Sequence, residues 1–225
     1  MKKKRNVKER QVVKKDRLFL FDFDGVIVDS LDFYEESSGL CFERMGFHAI
    51  ATRDDFLDLF EDNFYVALVK MGLDVSEFDR VAKQIDYKVD FSMIVPFYEM
   101  TPVLEKLTRN NILVVVSSNS RKDIDQILSR YGFAHYFDDI LSADFMRSKV
   151  DKILHAMKQW NIGKENTYFV GDTVGDIKEA REARVHTIAV TWGWHSKERL
   201  TRVAPDYLVE TPKDFFNIEN GLLRD

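Results

Sequence analysis

Residues 17–30 read RLFLFDFDGVIVDS. Four apolar residues, Leu18 to Phe21, run straight into Asp22, then Asp24, then Gly25. A continuous apolar run is the pattern of a strand covered on both faces, as in a parallel sheet. Ligands of such sheets bind beyond the carboxyl ends of the strands. Asp22 and Asp24 stand at such an end. Period-two alternation would put their side chains on the same side. Gly25 lets the backbone turn there and approach a ligand closely. Two carboxylates held together repel unless a proton or a cation intervenes. Mg²⁺ commonly takes one or two carboxylates together with phosphate oxygens of a substrate. An Asp-x-Asp pair alone also suits a polar strand end, so the other strand ends must decide.

Three further runs have the same character: ILVVVS (112–117), TYFVGD (167–172) and HTIAVT (186–191). A weaker one, DDILSA (138–143), lies among them. Helical signals separate the runs. Thr101 and Pro102 fit an N-cap and the first helical position. Ser120 and Asp123 open a second helix, with Ile124, Ile127, Leu128 and Tyr131 on one face and Gly132 as its stop. Ser148 and Asp151 open a third, with Val150, Ile153, Leu154 and Met157 on its face. A fourth is expected to begin at Asp176. Strands alternating with helices predict an α/β fold, a doubly wound three-layer sandwich with a parallel sheet.

Residues 31–97 break the alternation. Phe56, Leu59, Phe60, Phe64, Leu68 and Met71 follow helical spacing, and Ser76, Phe78, Val81, Ile85 and Val89 do so again. This predicts a small all-helical insert, and its 14 acids against 6 bases make it acidic. The expected division is a basic tail over 1–16, a core over 17–30 and 98–225, and a helical cap over 31–97.

The remaining strand ends supply a consistent chemistry. The second ends on Ser117 and Ser118, followed by Asn119. Lys149 stands at a helix start after the weak strand. Asp172 and Asp176 follow the next strand. Carboxylates, a hydroxyl and an amine are the parts needed to hold Mg²⁺ and a phosphoryl group.

The set DFDGVIVDS, VVVSSNS, SK and GDTVGDI, in that order over residues 17–212, resembles the haloacid dehalogenase-like hydrolases. Within that superfamily it is similar to the subgroup with a helical cap after the first motif, which includes phosphoglycolate phosphatases and β-phosphoglucomutases. The resemblance implies a Rossmann-like core and the following roles. Asp22 is the nucleophile, forming an aspartyl phosphate. Asp24 is the general acid and base, with its backbone carbonyl facing Mg²⁺. Ser117 binds a phosphoryl oxygen, with Ser118 as the alternative; Asn119 and Gly25 lie on the substrate side. Lys149 neutralises charge between Asp22 and the phosphate, with Lys152 as the alternative. Asp172 ligates the metal, and Asp176 ligates it through water or orients Lys149. Two positions depart from the pattern: Val150 stands where proline often follows the lysine, and Val26 where threonine is common.

The activity so implied is Mg²⁺-dependent hydrolysis of a small phosphate monoester, the partner being a small phosphorylated metabolite. A phosphomutase shares Asp22 and Asp24, and a phosphate- or metal-binding protein without catalysis is a third reading. Asp24 speaks against dehalogenation and phosphonate cleavage, whose enzymes lack that acid.

Composition sets bounds around this. The chain has 225 residues, 45% hydrophobic and 32% charged, with net charge −5. A single cysteine, Cys41, excludes an internal disulfide and a cysteine-based zinc site. No apolar stretch approaches the roughly 18 residues of a membrane span, so no membrane partner is expected. Residues 1–17 hold nine Lys or Arg against two acids. That charge suits a signal-peptide n-region, but Asp22 and Asp24 interrupt the apolar run behind it. The expected location is the cytoplasm, and the expected tail a solvated extension. The acidic body does not suit a nucleic-acid partner. His195 is expected as a surface or loop histidine, His155 as structural, Trp192 and Trp194 as packing residues, and the aromatics of the insert as core.

Overall fold

The computed structural model describes residues 15–85 and 91–222. The expectations for residues 1–14 and Val89 lie outside the described residues.

Six strands form one parallel sheet: β1 (Arg17–Phe21), β4 (Asn111–Val116), β5 (Asp139–Leu141), β6 (Thr167–Gly171), β7 (His186–Val190) and β8 (Tyr207–Val209). Their order is β5-β4-β1-β6-β7-β8. The chain works outward from β1 in both directions, so the switch point lies at the carboxyl end of β1. Phe19 pairs with Leu113 on one side and Tyr168 on the other.

Alternation sorts the side chains onto two faces. Phe19 and Phe21 join Leu113, Val115, Tyr168 and Val170 in one core. Leu18 and Leu20 join Val114, Val116 and Phe169 in the other. Helices α5 (Thr101–Leu107) and α6 (Arg121–Arg130) cover the first face with Val103, Leu104, Ile124 and Leu128. Helices α7 (Lys149–Trp160) and α8 (Val174–Glu182) cover the second with Ile153, Ala156 and Ala180. This is the predicted α/β sandwich.

Local signals explain most helix starts. The Ser120 and Ser148 hydroxyls accept from the backbone amides of Asp123 and Asp151, at 3.2 and 3.1 Å. Three expectations need correction. Helix α5 begins at Thr101 itself, because a 3-10 turn over Tyr98–Met100 feeds into it and buried Met100 takes the cap position. Helix α8 begins at Val174, two residues before Asp176, because Thr173 and Asp176 form a reciprocal capping box. Leu154 is exposed, and Ala156 takes the buried position on α7.

The insert is bracketed by a short ribbon, β2 (Val28–Asp29) antiparallel to β3 (Val95–Pro96). Between them lie α1 (Leu31–Arg44), α2 (Arg53–Asp58), α3 (Phe64–Lys70) and α4 (Val75–Ile85). The periodic run from Phe56 to Met71 is split because the Asn63 side chain accepts from Tyr65 N and starts α3 afresh. Helix α9 (Lys197–Arg202) lies between β7 and β8, and the described chain closes with α10 (Phe215–Leu222). The end of the expected tail lies against the body: Lys15 Nζ donates to both oxygens of Asp138 at 3.0 Å. Among the described residues no helix is long and apolar enough to cross a membrane.

Candidate active site

β1 ends at Phe21, yet Asp22 N still donates to Val170 O at 2.8 Å. That bond fixes Asp22 at the carboxyl end of the central strand, where its side chain is buried. Phe23 N donates to Asp22 Oδ1 at 2.7 Å. Lys149, the first residue of α7, sends Nζ to Asp22 Oδ2 at 2.6 Å and to Asp176 Oδ1 at 2.5 Å. Asp176 Oδ2 is held by Thr173 N and Oγ1. Asp172 follows β6; its Oδ2 accepts from Trp194 N at 2.7 Å, while its buried Oδ1 has no partner.

One oxygen each of Asp22, Asp172 and Asp176 lies within 4.8 Å of the others. Burial pushes the carboxyls of Asp22 and Asp172 up, the other acids adding to the effect and Lys149 opposing it. Burial works the same way on Asp176, but Lys149 and Thr173 outweigh it and hold that carboxyl down. Burial alone would pull Lys149 down; Asp176, Asp22 and Glu179 hold its ammonium well above the usual range. One ammonium cannot balance three buried carboxylates, and the orphaned Asp172 Oδ1 is an open donor. The all-oxygen set fits a hard divalent cation such as Mg²⁺.

Asp24 stands apart from this trio. Its Oδ1 accepts from Ser30 Oγ at 2.8 Å and its Oδ2 from Asn119 Nδ2 at 2.7 Å. Burial pushes this carboxyl up to about 6, against the pull of Ser30, Lys149 and Asn119. Asp24, Ser118, Asn119 and Lys149 line a cleft of about 690 Å³ over Asp22.

Ser117 does not line that cleft. It is fully enclosed, its Oγ accepting from Asn119 N at 3.0 Å. The strand end turns outward one residue later, so Ser118 is the hydroxyl beside the cleft. Lys152 is also enclosed: its Nζ donates to Ser117 O at 2.6 Å, and burial pulls it down to about 8. Of the two lysines, Lys149 is the one that meets the carboxylates.

Gly25 has φ +69°, and a Cβ there would lie 2.0 Å from Asp172 Oδ2. Its close approach is to a carboxylate of the trio. Gly25→Ala is expected to lower stability by more than the roughly 1–2 kcal/mol of left-handed strain alone and to weaken metal binding. Thermal melts with and without Mg²⁺ check this.

His195 lies in a loop, one of the two positions expected for it, but is buried and not at the surface. Val174 N donates to its Nδ1 at 3.0 Å, which puts the proton on Nε2, and Nε2 donates to Leu57 O at 2.9 Å. Its loop folds inward because Trp194 packs against Phe56 and Phe60 of the insert. His155 is half-buried, bonded to Gln159 and edge-on to Phe145.

The insert closes the cleft from above. Phe60, Phe64 and Tyr65 line it as well as packing on one another, and Tyr34 lines it while packing on Phe33 and Trp194, so the aromatics are not core alone. Arg147 stacks on the Tyr65 ring and donates to Asp79 Oδ2 at 2.6 Å. Sequence reasoning missed Arg147 and Glu179. Glu179 Oε1 accepts from Lys149 N at 3.0 Å and from Asn63 Nδ2 at 3.2 Å. Its spacing three residues after Asp176, on the same helix face, was the available signal.

The family model for haloacid dehalogenase-like hydrolases matches residues 19–190. The chain belongs to that family. It is 26% identical over 210 residues to a phosphoglycolate phosphatase of Synechococcus elongatus, covering 91% of this chain and 98% of the relative. It is 25% identical to the pyrophosphatase PpaX of Oceanobacillus iheyensis, covering 90% and 96%. The crystal structure of a predicted phosphatase from Clostridium acetobutylicum superposes with a TM-score of 0.79 at 21% identity, over 91% of this chain and 98% of that one. That likeness establishes the fold.

Proposed function

We propose that this hydrolase is a Mg²⁺-dependent phosphatase acting on a small phosphate monoester through an aspartyl phosphate on Asp22. The observation that carries the reading is the buried Asp22–Asp172–Asp176 cluster, tied by Lys149 and left with one unpartnered oxygen. The names of the relatives, phosphatases and pyrophosphatases, support the same class.

Asp22, Asp172 and Asp176 would hold the ion, which supplies neutralising charge to the phosphoryl oxygens when bound. The chain's own groups do the rest. A carboxylate oxygen of Asp22 attacks phosphorus, and the bond to the ester oxygen breaks. Asp24, steadied by Ser30 and Asn119, protonates the departing alkoxide. It then takes a proton from the water that attacks the aspartyl phosphate, releasing phosphate and restoring Asp22. Ser118 donates to a phosphoryl oxygen, and Lys149 offsets charge between that group and Asp22. Residues 31–97 act as a cap that closes over the substrate and favours small phosphate esters over macromolecular ones.

The cleft volume of about 690 Å³ exceeds the needs of a two-carbon acid. Sugar and nucleoside monophosphates therefore belong beside phosphoglycolate in a test panel. Phosphate release from one ester class with Mg²⁺, and none with EDTA, is the expected result. Phosphoryl movement between positions of a sugar, without release, would reassign the chain as a mutase. Silence in both would sink the enzymatic reading.

A further inference from the structure

The first turn of α8 carries Asp176 and follows Asp172 directly. Four contacts from the insert converge on that same helix. His195, wedged beneath, accepts from Val174 N and donates to Leu57 O of the insert. Gly175 lies directly against the insert's backbone: a Cβ there would be 2.4 Å from Asp62 O and 3.0 Å from Phe60 O. Lys178 Nζ donates to Glu61 O at 2.6 Å. Asn63 donates to Glu179, which also holds Lys149 N. Two carboxylates of the trio, Asp172 and Asp176, and the underside of the cap thus share one short piece of backbone.

We propose that His195 is a positioning residue which, with Gly175, couples closure of the cap to divalent-metal affinity through the first turn of α8. The inference rests on the metal reading of the trio. Its physical basis is linkage. If docking of the cap orders the turn that presents Asp172 and Asp176, metal binding must favour the docked cap by the same factor. The histidine suits the joint because it is rigid, neutral and bonded at both nitrogens. Glycine at 175 suits it because any side chain would stand where the two carbonyls sit. Alanine there is favoured by helix propensity, so loss of function in Gly175→Ala cannot come from a weakened helix.

Three variants of the full chain separate the contacts. His195→Phe loses both hydrogen bonds. His195→Asn retains an acceptor placed for Val174 N but cannot reach Leu57. Gly175→Ala pushes on the cap and leaves His195 alone. Mg²⁺ affinity is read by calorimetric titration without substrate, and cap docking by hydrogen exchange over residues 56–64. All three are expected to speed exchange there and to weaken Mg²⁺ binding about tenfold, within the range usual for coupled sites. Faster exchange with unchanged affinity would overturn the coupling. So would unchanged exchange, or recovery of affinity in His195→Asn, which would make the role local to the turn. If His195→Phe does not fold, the other two variants decide. Absence of Mg²⁺ binding by the unaltered chain would remove the metal site and the coupling together. Binding with equal affinities would remove the coupling alone.

Discussion

Asp22→Asn is expected to reduce phosphate release by at least about 10⁴-fold, the scale seen when a covalent nucleophile is removed. The substitution keeps the shape of the side chain. Asp22 N still reaches Val170 O, and Lys149 retains Asp176 as its partner. The neutral amide also relieves a carboxyl that burial already pushes up. The melting temperature should therefore stay close to that of the unaltered chain while turnover disappears. Steady-state kinetics beside a thermal melt separate the two quantities. A variant that keeps its rate would remove Asp22 from the chemistry, whatever its stability.

Removal of divalent metal is the second large effect. EDTA should abolish turnover, and Mg²⁺ should restore it. It should also act on stability, because three buried carboxylates share one ammonium and Asp172 Oδ1 has no partner. A ligand that binds only the folded chain stabilises it by about 2.7 kcal/mol at one hundred times its dissociation constant. For a chain of this size that is a rise of roughly 5–10 °C in melting temperature. Asp172→Asn should melt at the same temperature with and without Mg²⁺. A melting temperature in the unaltered chain that ignores Mg²⁺ would count against the trio as a metal site.

The sheet was readable because β1, β4, β6 and β7 are unbroken apolar runs, and a strand buried on both faces needs such a run. Ser120 and Ser148 were readable because a cap is a local device, settled within three residues. The trio was readable for a different reason: Asp22 and Asp172 follow the ends of β1 and β6, Asp176 lies in the helix turn just after β6, and parallel strands bring their ends together. The failures share a cause in long-range contact. His195 takes its place from Leu57, 138 positions away, and no local pattern announces that. The choice between Ser117 and Ser118 stayed open for the same reason: which side chain borders the cleft depends on where β4 ends against β5, with Ser117 N still donating to Leu141 O. Thr101 lost its expected cap role to the burial of Met100. Glu179 lay in view at helical spacing, but its meaning depends on Asn63 arriving from the insert.

The ribbon of β2 and β3 has a mechanical consequence. Both chain crossings between the sheet and the helices above it run side by side through Val28–Asp29 and Val95–Pro96. Two neighbouring tethers joined by backbone hydrogen bonds resist twisting and sliding more than bending. They define a single axis about which bending is easiest, so the attachment has the character of a door hinge and not of a leash. Away from the ribbon the insert meets the core through side-chain contacts, as where Arg147 donates to Asp79, and such contacts can part without breaking backbone pairing.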